Sequence, residues 1–413
     1  MTRLLLFTNE YPYATGDCGF VAREIPYLAE RFDDVVVFCH ARDTSPGRVQ
    51  MPANVTLGGN LFERSDDDRL WTPLTPPNLA LLADAAWREL RAGRLLRHLR
   101  LFLMGARVGI TQANRRAVRE AIAGDRDTVA YAFWGMGGGL GLAWLRGVRA
   151  KALRLHRYDL YEDRAPGGYL PFRRFLLARA DRILAISQDA RMYLAETYRD
   201  RRVDAKTVLS RLGAEGPEEF TRPSRDGDER LVVSCSAVTD IKRVALILAA
   251  LRALPGMSDE APVRWVHFGT GPLMDDLQRA ADEAMATTPG LRIDLRGQTP
   301  NEEIASFYRD HRVDVLVNAS SSEGVPVSIM EAIAHDIPVV ATAVGGSPEI
   351  VGSELRTGLL VSSDPQPTEL ARAIRTVLDS DDEAFAPRQR WRLEFDATVT
   401  GARAAQLVRD LIP

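Results

Sequence analysis

Short apolar runs rich in branched residues, separated by stretches of helical periodicity, constrain this chain most. They recur at 3–8, 34–39, 128–134, 152–156, 182–187 and 207–211, then at 231–236, 264–268, 292–296, 313–318, 337–342 and 358–361. Each is too short for a typical helix and reads as a strand. Helical patterns fall between them, at 20–31, 113–123, 170–180 and 188–198, then at 241–254, 272–286, 301–309, 326–335 and 367–379. Strands alternating with helices imply parallel sheets built of βαβ units. The series stops at 213–230, GAEGPEEFTRPSRDGDER, which is polar, rich in Pro and Gly, and aperiodic. That composition reads as a linker. The expected organisation is α/β, with Rossmann-like domains at 1–212 and 231–390 and a last helical stretch at 391–413. A length of 413 residues suits two cores better than one. Segment 42–78 carries several Pro, Gly and Asp residues and reads as irregular.

Bulk properties narrow the function classes. A net charge of −3 gives no pull toward nucleic acid. No run of 18 apolar residues is present, so no transmembrane helix is expected. The opening MTRLLLFTNEYPY lacks a cleavage site and reads as a buried first strand. Cys18, Cys39 and Cys235 show no metal-ligand spacing; Cys39 and Cys235 end apolar strands and read as core thiols, which fits a reducing cytoplasm.

Chemistry concentrates at 319–351, ASSSEGVPVSIMEAIAHDIPVVATAVGGSPEIV. Glu323 falls in a loop after the strand 313–320, and Glu331 lies eight positions on, inside a helix that Pro326 opens. Both belong at the carboxyl end of a parallel sheet, where open α/β folds bind ligands. The N–H groups of Gly324 and Val325 at the helix start favour a diphosphate. Two hydroxyl-accepting carboxylates beside an anion site suit a nucleotide sugar. Two solvated glutamates flanking a helix start is the plainer alternative.

This stretch resembles the donor-binding signature of retaining GT-B glycosyltransferases of the group-4 family, Glu-x7-Glu followed by a strand and a Gly-Gly turn, here EGVPVSIME and IPVVATAVGGSPE. The resemblance implies two Rossmann-like domains facing across a cleft, with the C-terminal helix crossing back to the first. It implies that Glu323 contacts the transferred sugar and Glu331 the ribose. LVVSCSAVTDIKRVAL resembles the family's second motif, which makes Lys242 the diphosphate ligand. The family's arginine before this lysine is missing at Ser236-Ala237, and Arg243 stands where glycine is common, as a partial substitute. His156, after LRL, matches a histidine that reaches the sugar's primary hydroxyl or the acceptor side, with Asp159 as the nearest carboxylate. FTNEYPYATGDCGFVAREI resembles the family's first loop, so Gly16 and Gly19 are donor-contact candidates. An ordinary turn and a packed histidine are the alternatives for these last two segments.

Other patterns carry less. Gly269-Thr270-Gly271 lacks the third glycine of a dinucleotide fingerprint, since Met274 stands there. Asp66-Asp67-Asp68 and Asp125-Arg126-Asp127 mimic metal-binding triplets in polar loops. No metal and no cofactor are expected, with the nucleotide-diphosphate sugar as donor substrate, a UDP-sugar favoured. Segment 87–107 carries six arginines beside leucines and aromatics. Family members with lipid-linked acceptors use such faces, so membrane contact through 87–107 is a further expectation. Arginines at every third position of one helix would spiral around it, however. The resulting expectation is a retaining, metal-independent transferase acting on a glycan, lipid-linked glycan or small-molecule hydroxyl. An epimerase of the same shape, or a non-catalytic nucleotide-sugar-binding relative, fits the same motifs. FTNEYPY and SCSAVTDIKR are closest to members that build bacterial surface polysaccharides.

Overall fold

A computed structural model describes residues 2–64, 75–124, 127–224, 227–254 and 262–412. It divides into two units, Met1–Arg211 with Thr400–Pro413, and Leu212–Val399.

The first unit is built on a seven-stranded parallel sheet of order β3-β2-β1-β4-β5-β6-β7. Its strands are β1 Thr2–Phe7, β2 Asp34–Cys39, β3 Val55–Asn60, β4 Asp127–Ala132, β5 Ala150–Leu155, β6 Arg182–Ala185 and β7 Thr207–Leu209. Consecutive apolar residues in β1 have a simple cause, because helices cover both faces. Leu4 and Leu6 pack with Val21, Ile25 and Leu28 of the helix Cys18–Arg31. Leu5 and Phe7 turn to the opposite face, among Phe102, Ile110 and Trp144. Alternation is therefore hidden in the sequence, and only the run is visible.

Two elements here differ from expectation. The region 42–78 contains β3, which carries Gly58-Gly59 near its end and pairs with β2 through a register shift at Val37/Phe38. A side chain at Gly58 would meet the Phe38 ring and Val36 at 2.6 Å, so the strand can lie there only without one. Glycines erase the apolar signal that would have announced it. The helix expected at 113–123 is two, Leu99–Asn114 and Arg116–Ile122, broken where Arg115 turns extended.

The second unit holds six parallel strands in the order β10-β9-β8-β11-β12-β13. They are β8 Arg230–Cys235, β9 Val263–Phe268, β10 Leu291–Leu295, β11 Val315–Asn318, β12 Val339–Thr342 and β13 Gly358–Val361. Val232 faces one core and Leu231 and Val233 the other.

The boundaries lie elsewhere than composition placed them. Residues 213–230 are not a free linker but part of the second unit. Ala214 is fully buried, and its carbonyl accepts the Trp391 indole N–H at 2.9 Å. The Arg388 guanidinium donates to the carbonyls of Pro217 and Glu218. A polar, aperiodic segment can still be fixed when distant side chains take its backbone groups. The expected single stretch 391–413 is split too. The helix Pro387–Glu394 remains in the second unit, while in the helix Ala397–Arg409 the chain passes into the first at Thr400. Asp396 marks the break by accepting the Thr398 N–H at 2.8 Å. Ala405, Val408 and Ile412 join the β1–β2 core, and Gly401 lies so close to the Tyr27 ring that a Cβ would meet it at 2.6 Å.

Candidate active site

In the second sheet the chain runs outward from β8 through β9 to β10, then returns to place β11 on the other side of β8. Loops leaving β8 and β11 therefore diverge, and they open a crevice at the carboxyl ends, the switch point where such sheets take ligands. Lys242 follows β8 and Glu323 follows β11. Lys242 Nζ donates to Glu323 Oε1 at 2.6 Å, and Asn318 Nδ2 reaches the same oxygen at 3.3 Å. The Glu323 side chain is 7% exposed and that of Lys242 25%. Two residues chosen from separate motifs thus meet as one largely buried ion pair.

Glu331 sits in the helix Val327–Ala334, which Pro326 precedes as the N-cap residue. Its charge reaches the same place. Burial first, then Glu331, push the Cys235 thiol up to about 12, and Lys242 opposes them. The end of β8 therefore feels both the helix carboxylate and the loop ammonium.

At the start of that helix, the N–H groups of Gly324 and Val325 have no hydrogen-bond acceptor among the described residues. The loop is held open by the Gly345-Gly346 turn. Gly345 has φ +52, and a Cβ there would meet the Glu323 carbonyl oxygen at 2.0 Å. Gly346 N–H donates to the Gly324 carbonyl at 2.8 Å. Only glycine fits at 345, for conformation and for contact.

Arg243 does not take the phosphate position expected of it. Its Nε donates to the Ala319 carbonyl at 2.7 Å, and Nη2 to the carbonyls of Ser320 and Ser363 at 3.1 and 2.8 Å. Nη1 donates to Asp364 at 2.8 Å. The guanidinium is spent on loop backbone, so Lys242 alone of the pair keeps an ammonium at the crevice. Asp336, where the resemblance prefers glycine, adopts φ +56, which Asp tolerates, and accepts the Arg388 N–H at 3.1 Å.

The first sheet has its own switch point, between β1 and β4. Asp17 organises it. Its carboxylate accepts the N–H groups of Asn9, Glu10 and Tyr11 at 2.7–2.9 Å and the Trp134 indole at 2.7 Å. Sequence reasoning passed over Asp17 because Trp134, which ties its loop to the one after β4, lies 117 residues away. Gly16 has φ +56 and crowds Glu10, so glycine is needed there. Gly19 is different: it lies in the first turn of the helix Cys18–Arg31, and a Cβ would meet nothing within 4 Å. No close backbone approach requires it.

His156 follows β5, its ring against Trp134 at a centroid distance of 3.9 Å. Its backbone N–H donates to Asp159 at 2.6 Å, while neither ring nitrogen has a partner among the described residues. Asp159 thus holds the His156 backbone and the Gly135 N–H, not the imidazole. Burial, aided by Arg154, holds the imidazole well below its ordinary range and keeps it neutral. Burial also raises Asp159 to about 6, against the Arg173 charge.

The remaining patterns find plain places. Gly269 and Gly271 let the loop after β9 close on the backbone of Ser236 and Val238, with Val238 N–H donating to Thr270 at 3.0 Å. Asp66-Asp67-Asp68, Asp125 and Arg126 lie outside the described residues, and Asp127 begins β4. Segment 87–107 is not one helix. Pro76–Arg91 ends at a turn through Gly93 (φ +68), and Leu99–Asn114 begins anew, so the expected spiral of arginines does not form. No described helix is long and apolar enough to cross a membrane.

The family "Glycosyl transferases group 1" matches residues 229–380, which span β8, β11 and the whole Lys242–Glu323–Glu331 crevice. Residues 229–380 thus match a group 1 glycosyltransferase domain. The chain is 26% identical over 256 residues to the putative colanic acid biosynthesis glycosyltransferase WcaL of Escherichia coli K12, covering 60% of this chain and 61% of WcaL. It is 26% identical over 215 residues to the amylovoran biosynthesis glycosyltransferase AmsK of Erwinia amylovora, covering 50% and 51%. The matches thus span less than two thirds of either relative. Anabaena HepE, solved with UDP, superposes with a TM-score of 0.63 at 16% identity, over 99% of this chain and 100% of that one. With their two parallel Rossmann-like sheets, the two units have the GT-B fold.

Proposed function

We propose that this chain is a retaining, metal-independent glycosyltransferase that moves a sugar from a nucleotide-diphosphate sugar, a UDP-sugar favoured, to an acceptor hydroxyl. The Lys242–Glu323 pair at the β8/β11 switch point carries the proposal. An ammonium and two unengaged amides suit a diphosphate, and buried Glu323 beside them suits the hydroxyls of the sugar attached to it. Glu331 takes the ribose. The neutral His156 imidazole in the first unit can exchange a hydrogen bond with a sugar hydroxyl. In the reaction the bond from the anomeric carbon to the diphosphate breaks. The acceptor oxygen bonds to that carbon from the same face, and its proton passes to the departing phosphate. Catalysis is then positioning and charge stabilisation.

WcaL and AmsK point to an acceptor among the glycan intermediates of a surface polysaccharide. We further propose peripheral contact with anionic membrane through 87–107, supported by exposed apolar and basic side chains there. Trp87 and Leu96 are 56% and 79% exposed, Leu103 and Met104 are exposed beside them, and so are Arg91, Arg97 and Arg100. The single acid of the stretch, Glu89, is buried. Sedimentation with anionic vesicles should carry the protein down, and less so for Trp87→Ser/Leu96→Ser. No sedimentation would remove this contact.

The main test is a thermal-shift screen with UDP-, GDP- and ADP-sugars, followed by transfer to an acceptor and assignment of the product's anomeric configuration. Stabilisation by UDP-sugars and retained configuration are expected. An inverted product, or epimerised sugar released without acceptor, would overturn the reading.

A further inference from the structure

We propose that Arg243 is a positioning residue for sugar transfer, a strap that holds the loop of Glu323 against the loop of Lys242. This inference rests on the glycosyltransferase reading of the same crevice. Arg243 is adjacent in sequence to Lys242, and its guanidinium crosses to the Ala319 and Ser320 carbonyls, four and three residues before Glu323. A further reach to the Ser363 carbonyl ties in the loop after β13. One side chain thus joins the loops that leave three strands.

Two other observations make the strap more than a surface contact. Arg243 has φ +48, a left-handed conformation that suits glycine and strains other residues. An arginine in that conformation accepts backbone strain to place its fork, which meets the Ala319, Ser320 and Ser363 carbonyls and, through Nη1, the exposed Asp364 carboxylate. Its side chain is 17% exposed, with the bonds to the Ala319 and Ser320 carbonyls on its inner side. The Glu323 loop is meanwhile joined to the Lys242 loop through backbone as well, since Ser321 N–H donates to the Ile241 carbonyl at 2.8 Å. From below, the Thr342 hydroxyl donates to the Ser320 carbonyl at 2.5 Å. Arg243 is the charged member of this set, and it alone reaches the third loop. Cutting it frees the two loops to drift while leaving Lys242 and Glu323 in place chemically.

The test compares Arg243→Gly, Arg243→Lys and wild type. Arg243→Gly removes the fork but relieves the left-handed strain, which offsets part of the lost hydrogen bonding, so thermal stability should fall only modestly. Its kcat should nonetheless fall by about 10- to 100-fold, as expected for reacting groups misplaced by about an ångström, with donor KM changed less than kcat. Added guanidinium ion should restore part of kcat in Arg243→Gly and none in wild type. Arg243→Lys, which keeps the charge but not the fork, should resemble Arg243→Gly. Amide hydrogen exchange, which needs no donor, should rise over 319–324 in Arg243→Gly and stay unchanged in β8. Wild-type kcat and exchange in Arg243→Gly would overturn the inference, as would a loss confined to donor KM, which marks a direct phosphate ligand. A wild type that transfers no sugar would defeat the glycosyltransferase reading instead, and exchange over 319–324 would still decide whether the strap exists.

Discussion

Removing the cation from the Lys242–Glu323 pair isolates how much of this site is built by that contact. In Lys242→Met, Glu323, only 7% exposed in the native protein, keeps the Asn318 amide at 3.3 Å but loses its cation. Removing one partner of a fully buried pair costs about 3–5 kcal/mol. An exposed pair is worth about 0–1 kcal/mol. Lys242 is one quarter exposed, so solvent already screens part of the attraction, and a loss of about 2 kcal/mol lies between those limits. Glu323→Gln keeps an acceptor for the ammonium and should lose about 1 kcal/mol, in line with a charged hydrogen bond made neutral. In the double variant neither charge is stranded, so its loss should be smaller than the sum by about 1 kcal/mol. Urea unfolding of the four proteins at pH 7, followed by tryptophan fluorescence, measures this coupling. Losses that add within about 0.5 kcal/mol would refute it, since independent sites behave that way. The donor provides a second arm. Lys242→Met should lose most of the thermal shift given by a UDP-sugar, and an undiminished shift would remove the lysine from the diphosphate site.

Gly345→Ala should damage the site more than its size suggests. It forces φ +52 on an alanine and drives a methyl to 2.0 Å from the Glu323 carbonyl, so transfer should fall sharply with stability lower by more than about 1 kcal/mol; unchanged kinetics would contradict the geometry. His267, buried and hydrogen-bonded through Nδ1 to Ser234 at 2.8 Å, is lowered to about 4 by burial. The unfolded chain therefore binds the extra proton first. Stability from this group is whole above about pH 6.5 and is lost by about 1.4 kcal/mol per pH unit on the way down to about 4. His267→Gln should flatten the pH dependence of urea unfolding across that window, while Asp159, raised to about 6, contributes the opposite slope in both proteins. An identical slope in the variant would show that His267 is protonated inside the fold.

How far the sequence reached depended on whether a signal was local. Strands buried on both faces must be apolar along their whole length, so β2 and β13 stand where the runs 34–39 and 358–361 placed them. The Glu323–Glu331 spacing and the Gly345-Gly346 turn are equally local, and so the crevice wall on the β11 side was legible. β3 was not, because its glycines serve a contact with Phe38 and leave no apolar run. Nor was the attachment of 213–230, since Trp391 and Arg388 lie some 170 residues away.

By itself the sequence determined the α/β character, the parallel sheets and the residue types at the carboxyl ends of β8 and β11, because periodicity and short motifs are properties of neighbouring residues. Tertiary structure decided the pairings. It joined Lys242 to Glu323 across 81 residues, turned Arg243 from the phosphate to the loop carbonyls, and gave Asp17 its four donors. Strand order places loops side by side at the switch points, and once they are there each buried charge and N–H must find its partner among whatever the fold has brought near.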